Sequence, residues 1–317
     1  MTFLFHAVAD QFSPLGWSFY HFIWQGMLVA ALYSACCLLC GADARRRHAL
    51  ACFFLGVALV LPMWQVWMIL VRHHGLALGN GPPEGLLDWM TWAALIWICV
   101  AGAMSLRTLT EAVKLRRQWL GDAAEDMGLS EAARHVAEQI GLSQPPRVLY
   151  SQTADGLAVL GWWRPVVVIP CELPGRLTDA QLRATLAHEL AHVARHDPVI
   201  NLVQSVLESV VMFHPAAAWL AGEVRRTREH CCDDIAVDAC GDAIAYARGL
   251  TALARRRGLE NRAALFAGGG DLGARVVRLV VKRRFAWWIW SDGGRSLFWL
   301  GCAAVLVRVS EIVCRMM

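Results

Sequence analysis

Apolar residues run almost unbroken from Trp17 to Cys40, from about Ala49 to Val71 and from about Leu87 to Leu106. Each stretch reaches the roughly 20 residues that a helix needs to cross a bilayer core, so three membrane spans are expected. The shorter run from Leu297 to Val307 is followed by Arg308 and Glu311, which are three apart and able to pair on one helical face. It is read as a fourth span.

Between the third and fourth runs the pattern changes to that of a folded domain. Glu111 to Gly141 reads as helix, and Arg147 to Tyr150, Leu157 to Leu160 and Val166 to Ile169 read as short strands. Gly161 and Pro165 separate the last two strands, and Val166 to Ile169 is the expected edge, beside which a substrate strand could add. Thr178 followed by Gln181 is a capping-box signal, which predicts a helix starting there and continuing until Pro198. Asn201 to Arg226 is apolar but carries Asn201, Gln204, Ser205, Glu208 and Ser209 at spacings of three and four. That stripe predicts a helix lying along a membrane or against the domain. The spanning alternative would place Glu229 on the opposite side from His188.

Composition strengthens the membrane reading. Hydrophobic residues make up 57% of the 317, with 15 Trp against 4 Tyr, and the mean hydropathy is +0.41. These values lie above soluble averages, and Trp is favoured at membrane interfaces. The net charge of +4 comes with no nucleic-acid module, so direct nucleic-acid binding is not expected. The 11 Cys are scattered through apolar stretches and are read as reduced and mostly buried. Cys37 and Cys40 have a redox or metal spacing but lack a second pair, which favours packing thiols. No Lys or Arg precedes the first hydrophobic stretch, so a cleaved signal peptide is not expected.

Basic residues then orient the spans. Arg45, Arg46 and Arg47 follow the first, Arg107, Lys114, Arg116 and Arg117 follow the third, and Lys282, Arg283 and Arg284 precede the fourth. The loop between spans two and three carries only Arg72. The positive-inside rule therefore puts the N-terminus outside and everything from about Arg107 to Arg295 in the cytoplasm. The expected organisation is a three-span membrane domain over residues 1–106, a cytoplasmic α+β domain over 107–295 with a small sheet over its central helix, and a fourth transmembrane helix over 296–317.

The chemistry lies in His188-Glu189-Leu190-Ala191-His192. Residues four apart share one helical face, so both imidazoles can reach one metal while Glu189 flanks it, as in a zincin. A catalytic Zn2+ takes three protein ligands and leaves a position for water, whose proton a neighbouring carboxylate can accept. Glu189 is the natural base. His196 continues the series but lies about 12 Å along the axis from His188, too far to share the ion. Pro198 stands where a metzincin would have its third His. Glu229 in Arg228-Glu229-His230-Cys231-Cys232-Asp233 is the better third ligand. Glu229 and Asp233 are four apart, so one can ligate while the other orients a ligand histidine. His230 and Cys232 are also capable ligands.

From the first span to about Tyr246 the sequence resembles the BlaR/MecR-type antirepressor membrane metallopeptidases. The resemblance rests on Gly161, Pro165 and Pro170 before the zinc helix, then His188 to His192 with Arg195-His196-Asp197, then Arg228 to Asp233. It implies a gluzincin with zinc on His188, His192 and Glu229, Glu189 as base and Asp233 orienting a ligand. It also implies three spans before a cytoplasmic zinc domain and one after it. The implied activity is regulated endoproteolysis of a cytoplasmic protein, a winged-helix repressor or the peptidase itself, in a membrane where lipid surrounds the spans. Self-association is left open. The family's external penicillin-binding sensor domain, with its Ser-x-x-Lys nucleophile, has no counterpart before Met317, so a signal is expected to enter through the spans, the outer loop or a partner. Two other readings remain: a housekeeping membrane protease of the prenyl-protein-processing or heat-shock type, and a non-catalytic zinc-binding receptor, against which the intact Glu189 argues.

Overall fold

The computed structural model describes residue 18, residues 21–38, 43–73, 84–161, 164–211, 213–260 and 272–280, and residue 301. Of the expected fourth span only residue 301 is described. The described chain falls into two compact units.

The first unit is helical. Helix α1 (His21–Leu38), helix α2 (Ala44–His73) and most of helix α3 (Glu84–Gly121) supply three segments long and apolar enough to cross a membrane. Residues 205–225 join them, from the end of helix α6 (Asp197–Val211) and the start of helix α7 (Pro215–Cys240). Phe22, Val29, Ala30 and Tyr33 of α1 pack with Ala51, Leu55 and Ala58 of α2 and with Ala217, Leu220 and Ala221 of α7. The alanines at these contacts let helices approach closely, as membrane helices require. Gly26 of α1 faces the ring of His214, whose Cε1 lies 2.6 Å from where a Cβ would stand, and His214 Nε2 donates to the Ile23 carbonyl at 2.8 Å. The apolar stretch read as one helix over Asn201 to Arg226 is thus two helices meeting near His214 and Pro215. Within this unit a cavity of about 830 Å³ is lined almost wholly by apolar side chains, including Phe22, Pro62, Trp67, Trp97, Val210 and Phe213.

The second unit is α+β. The expected helix from Glu111 to Gly141 is interrupted: α3 ends at Gly121, a short strand β1 (Ala124–Glu125) follows, and helix α4 occupies Met127–Ile140. Aspartates cause the break. Asp122 accepts from Ser151 Oγ at 2.7 Å and from the backbone N–H groups of Gln152 and Thr153, and Asp126 caps α4 by accepting from Leu129 N at 2.8 Å. Such side chains offer the backbone partners that compete with helix continuation. Gly141 closes α4 at φ 82°, a left-handed conformation that glycine adopts without penalty.

Strands β2 (Arg147–Ser151), β3 (Ala158–Leu160) and β4 (Val166–Pro170) complete a four-stranded sheet in the order β1-β2-β4-β3. β4 is parallel to β2 and antiparallel to β3. The sequence suggested Val166 to Ile169 as an edge, but β4 is central and β3 is an edge. The unbroken Val-Val-Val-Ile run is the reason, because a strand covered on both faces loses the polar alternation. Val167 and Ile169 pack with Leu186 and Leu190, and Val166 and Val168 pack with Trp119 and Ala154.

Helix α5 (Asp179–Ala194) starts from the full capping box of Thr178 and Gln181. It is buried nearly all round, with Leu186, Ala187, Leu190 and Ala191 at 0% exposure, which is why it shows no clear amphipathic stripe. Pro198 does not terminate it. The helix ends at Ala194, His196 turns the chain at φ 57°, and Pro198 sits in the first turn of α6, where its missing N–H costs nothing. Helix α8 (Ala243–Glu260) and helix α9 (residues 272–280) complete the unit, with Tyr246 and Leu279 in its core. Eight described cysteines are free of disulfides. Against the expectation of mostly buried thiols, Cys52, Cys99, Cys171 and Cys240 are exposed, the first two on α2 and α3, where an apolar surface is the one a membrane helix offers to lipid.

Candidate metal centre

Helix α5 places His188 and His192 one turn apart with ring centroids 4.8 Å from each other, and α7 brings Glu229 opposite them. Glu229 Oε2 lies 3.4 Å from His188 Nε2, and its Oε1 lies 3.7 Å from His192 Nε2. Donor atoms of the three residues all fall within 4.8 Å of one another, so they can hold a metal ion. At about 2.0–2.2 Å from a tetrahedral metal, such ligands stand roughly 3.3–3.6 Å apart, close to what Glu229 makes with each histidine.

The opposite ring nitrogens are tied down. His192 Nδ1 lies 2.8 Å from Asp197 Oδ2, a carboxylate that can only accept, so Nδ1 carries a proton and Nε2 is the nitrogen that faces Glu229. Tyr246 donates to Asp233 Oδ1 at 2.7 Å, and its oxygen lies 2.9 Å from His188 Nδ1. With the phenolic proton on Asp233, that oxygen accepts from His188 Nδ1–H, so Nε2 is the nitrogen turned toward Glu229. Hydrogen bonds of this kind fix the tautomer and orientation that a metal-binding histidine needs. Glu189 follows His188 on the same helix, and a cavity of about 20 Å³, room for one water, is lined by His188, Glu189, Thr185 and Tyr246 among others.

Electrostatics favour the charged form of both α7 carboxylates. Burial would raise the pKa of Glu229, but the hydrogen bond and charge of His188, with His192 and Arg275, hold it well below the usual carboxylate range. Burial likewise opposes ionisation of Asp233, and Arg275 outweighs it. For His192 burial lowers the pKa, yet the hydrogen bond to Asp197 and the charges of Glu189 and Glu229 leave it raised.

The structure brings together His188, Glu189, His192, Glu229 and Asp233. Among the described residues His196 belongs to no group able to share an ion. Cys232 does belong to one, with His192 and Asp197, but its thiol lies on the Nδ1 side and donates to Asp197 at 3.2 Å. Burial, then Asp197, push that thiol far above its ordinary pKa, so it remains a protonated donor. The sequence reading gave no role to Asp197, Tyr246 or Arg275. For Asp197 a signal existed, an acid opening a helix just after the histidine helix. Tyr246 and Arg275 arrive by tertiary packing and leave no spacing pattern.

Two histidines and a glutamate on a buried helix, faced by a carboxylate, in a chain with three helices of membrane length among its described residues, point to the class of peptidases carried on membrane helices. The BlaR1 peptidase M56 family matches residues 84–269, more than half of the chain, and the chain belongs to that family. It is 25% identical over 194 residues to a protease HtpX homolog of Herminiimonas arsenicoxydans, a match covering 61% of this chain and 56% of that protein. It is 30% identical over 93 residues to protease HtpX of Chromohalobacter salexigens, covering 28% and 31%. A methicillin resistance mecR1 protein of Staphylococcus aureus is 29% identical over 69 residues, covering 22% and 12%. The chain thus spans little more than half, or less, of the length of these relatives.

Proposed function

We propose that the protein is a membrane-embedded zinc metalloendopeptidase of the gluzincin type, with zinc on His188, His192 and Glu229. The observation that carries this reading is that both Nε2 atoms converge on Glu229 while both Nδ1 atoms are held by hydrogen-bonded partners. Zinc held by these three residues would supply Lewis acidity and would lower the pKa of a water to about 7. Glu189 takes the proton of the attacking water and returns it to the leaving amine nitrogen. Asp197 holds His192, and Tyr246 with Asp233 holds His188. The peptide lies beside β3, the edge strand that can accept an added strand.

The catalytic part occupies residues 107–295 on the cytoplasmic side, apart from the residues 205–225 that group with the first unit, between the membrane segment 1–106 and a fourth crossing at 296–317. Its substrate is a cytoplasmic protein, a winged-helix repressor or the peptidase itself, as the family match and the basic clusters support. A heat-shock-type housekeeping role is the second reading, favoured by the longer overlap with HtpX proteins.

Zinc analysis of purified variants tests the ligand set. Glu229→Gln loses zinc and cleavage, whereas His196→Gly, which suits the positive φ there, keeps both. Zinc lost from His196→Gly and kept by Glu229→Gln would overturn the assignment. Repressor integrity in stimulated cells separates the two roles, since only the antirepressor reading predicts its loss.

A further inference from the structure

Helix α9 lies beyond residues 84–269, the part matched by the family, yet it reaches into the metal centre. Leu279 is buried in the same core as Leu186, Leu190 and Tyr246. Arg278 pairs with Asp234 at 2.6 Å and donates to the His230 carbonyl at 3.3 Å. One turn earlier, Arg275 grips Asp233 with two prongs, Nε to Oδ2 at 2.9 Å and Nη2 to Oδ1 at 2.6 Å. Its remaining nitrogen, Nη1, lies 3.3 Å from Glu229 Oε2, and Nη2 lies 3.5 Å from His188 Nε2. Arg275 and Arg278 share one face of α9 and meet the face of α7 that carries Glu229, His230, Asp233 and Asp234.

We propose that Arg275 is a positioning residue of the metal centre, and that α9 is a clasp whose docking holds Glu229 and Asp233 in the orientation that binds metal. The proposal rests on reading His188, His192 and Glu229 as the ligand set. Asp233 has a side chain with no exposed surface, so without a cation it is a buried charge left, among the described residues, with the Tyr246 hydroxyl as its hydrogen-bond donor and His188 Nδ1 at 3.5 Å. A buried carboxylate left in that state rotates or draws in water, and either response frees Tyr246 and with it His188. The same guanidinium also touches Glu229, so one planar group sets the angle of a ligand and of the residue behind another ligand. An ammonium cannot do this, because it offers one point charge where two carboxylates must be spanned. Any force that pulls α9 away from α7 therefore weakens metal binding without altering a ligand.

The test uses the full chain in detergent, with zinc affinity measured against a chromogenic chelator and ligand geometry read from the visible absorption of the cobalt-substituted protein. Arg275→Ala should weaken zinc binding about ten-fold or more and change the cobalt spectrum, the size seen when a group behind a metal ligand is removed. Arg275→Lys should recover only part of the loss. Arg278→Ala, which loosens α9 without touching Glu229 or Asp233, should weaken zinc binding in the same direction, and it serves as the test should Arg275→Ala fail to fold. Zinc affinity equal to or tighter than wild type in Arg275→Ala, full recovery in Arg275→Lys, or wild-type affinity in Arg278→Ala would overturn the proposal. Wild-type zinc binding by His188→Ala would instead overturn the ligand set on which it rests.

Discussion

At the scale of single residues, each candidate ligand is fixed by a neighbour that is not itself a ligand. Asp197 illustrates this best. It lies five positions after His192 on a chain that has just reversed through the left-handed His196, and only that reversal brings its carboxylate to 2.8 Å from Nδ1. Asp197→Asn keeps the size of the side chain but removes the charge and lets the amide present either an oxygen or an N–H to the ring. It should lower zinc affinity about ten-fold while leaving the thermal unfolding of the metal-free protein nearly unchanged. Competition with a chelator measures the first quantity, and unchanged affinity would remove Asp197 from the account. The histidines, Glu189 and Glu229 were legible in the sequence because helical spacing carries them. The clamps were not, because Tyr246 and Arg275 are brought in by packing of α8 and α9 against α5 and α7.

At the scale of elements, helix α5, which carries His188 and His192, was legible at its start and misread at its end. Thr178 and Gln181 make a capping box that depends only on local spacing, and it is present in full. The stop at Ala194 depends on the next helix docking back, so Pro198 looked like a terminator when it opens α6. The junction of α3 and α4 was missed for a related reason: Asp122 finds its partners, Ser151, Gln152 and Thr153, at the distant end of β2 and just after it. These bonds, Ser151 first, hold the Asp122 pKa below its ordinary value. A lowered folded-state pKa means that the stabilisation is present above the unfolded value of about 3.8–3.9 and is lost as pH falls through the folded value. Asp122→Asn should therefore melt earlier than wild type at pH 7, and the two should converge as the solution is taken below about pH 4. Parallel melting curves at both pH values provide the check, and a difference that persists in acid would show that Asp122 acts through something other than its charge.

At the scale of the whole molecule, three helices among the described residues are long and apolar enough to cross a membrane, and the orientation proposed for them rests on the basic clusters. Under that orientation, a reporter fused near Pro82 gives the external signal, and reporters fused near Gly121 and Gly258 give the cytoplasmic one. An external signal at Gly121 would invert the account of where substrates are met. The helical spans were the most legible part of the chain, since composition over about 20 residues decides them. Less legible was the return of residues 205–225 to the first unit, because α6 and α7 each contribute to both units and their polar stripe resembles that of a surface helix. The central claim is that this chain uses its metal centre for hydrolysis, and Glu189→Ala tests it most directly. Glu189 flanks the proposed ligands and is not among the residues grouped to hold the ion, so its removal separates binding from chemistry. Zinc content and cleavage should be measured together in membranes from stimulated cells carrying either form. The account predicts that Glu189→Ala keeps its zinc and loses cleavage of its cytoplasmic target and of itself, whereas zinc-dependent cleavage that persists in this variant would contradict it.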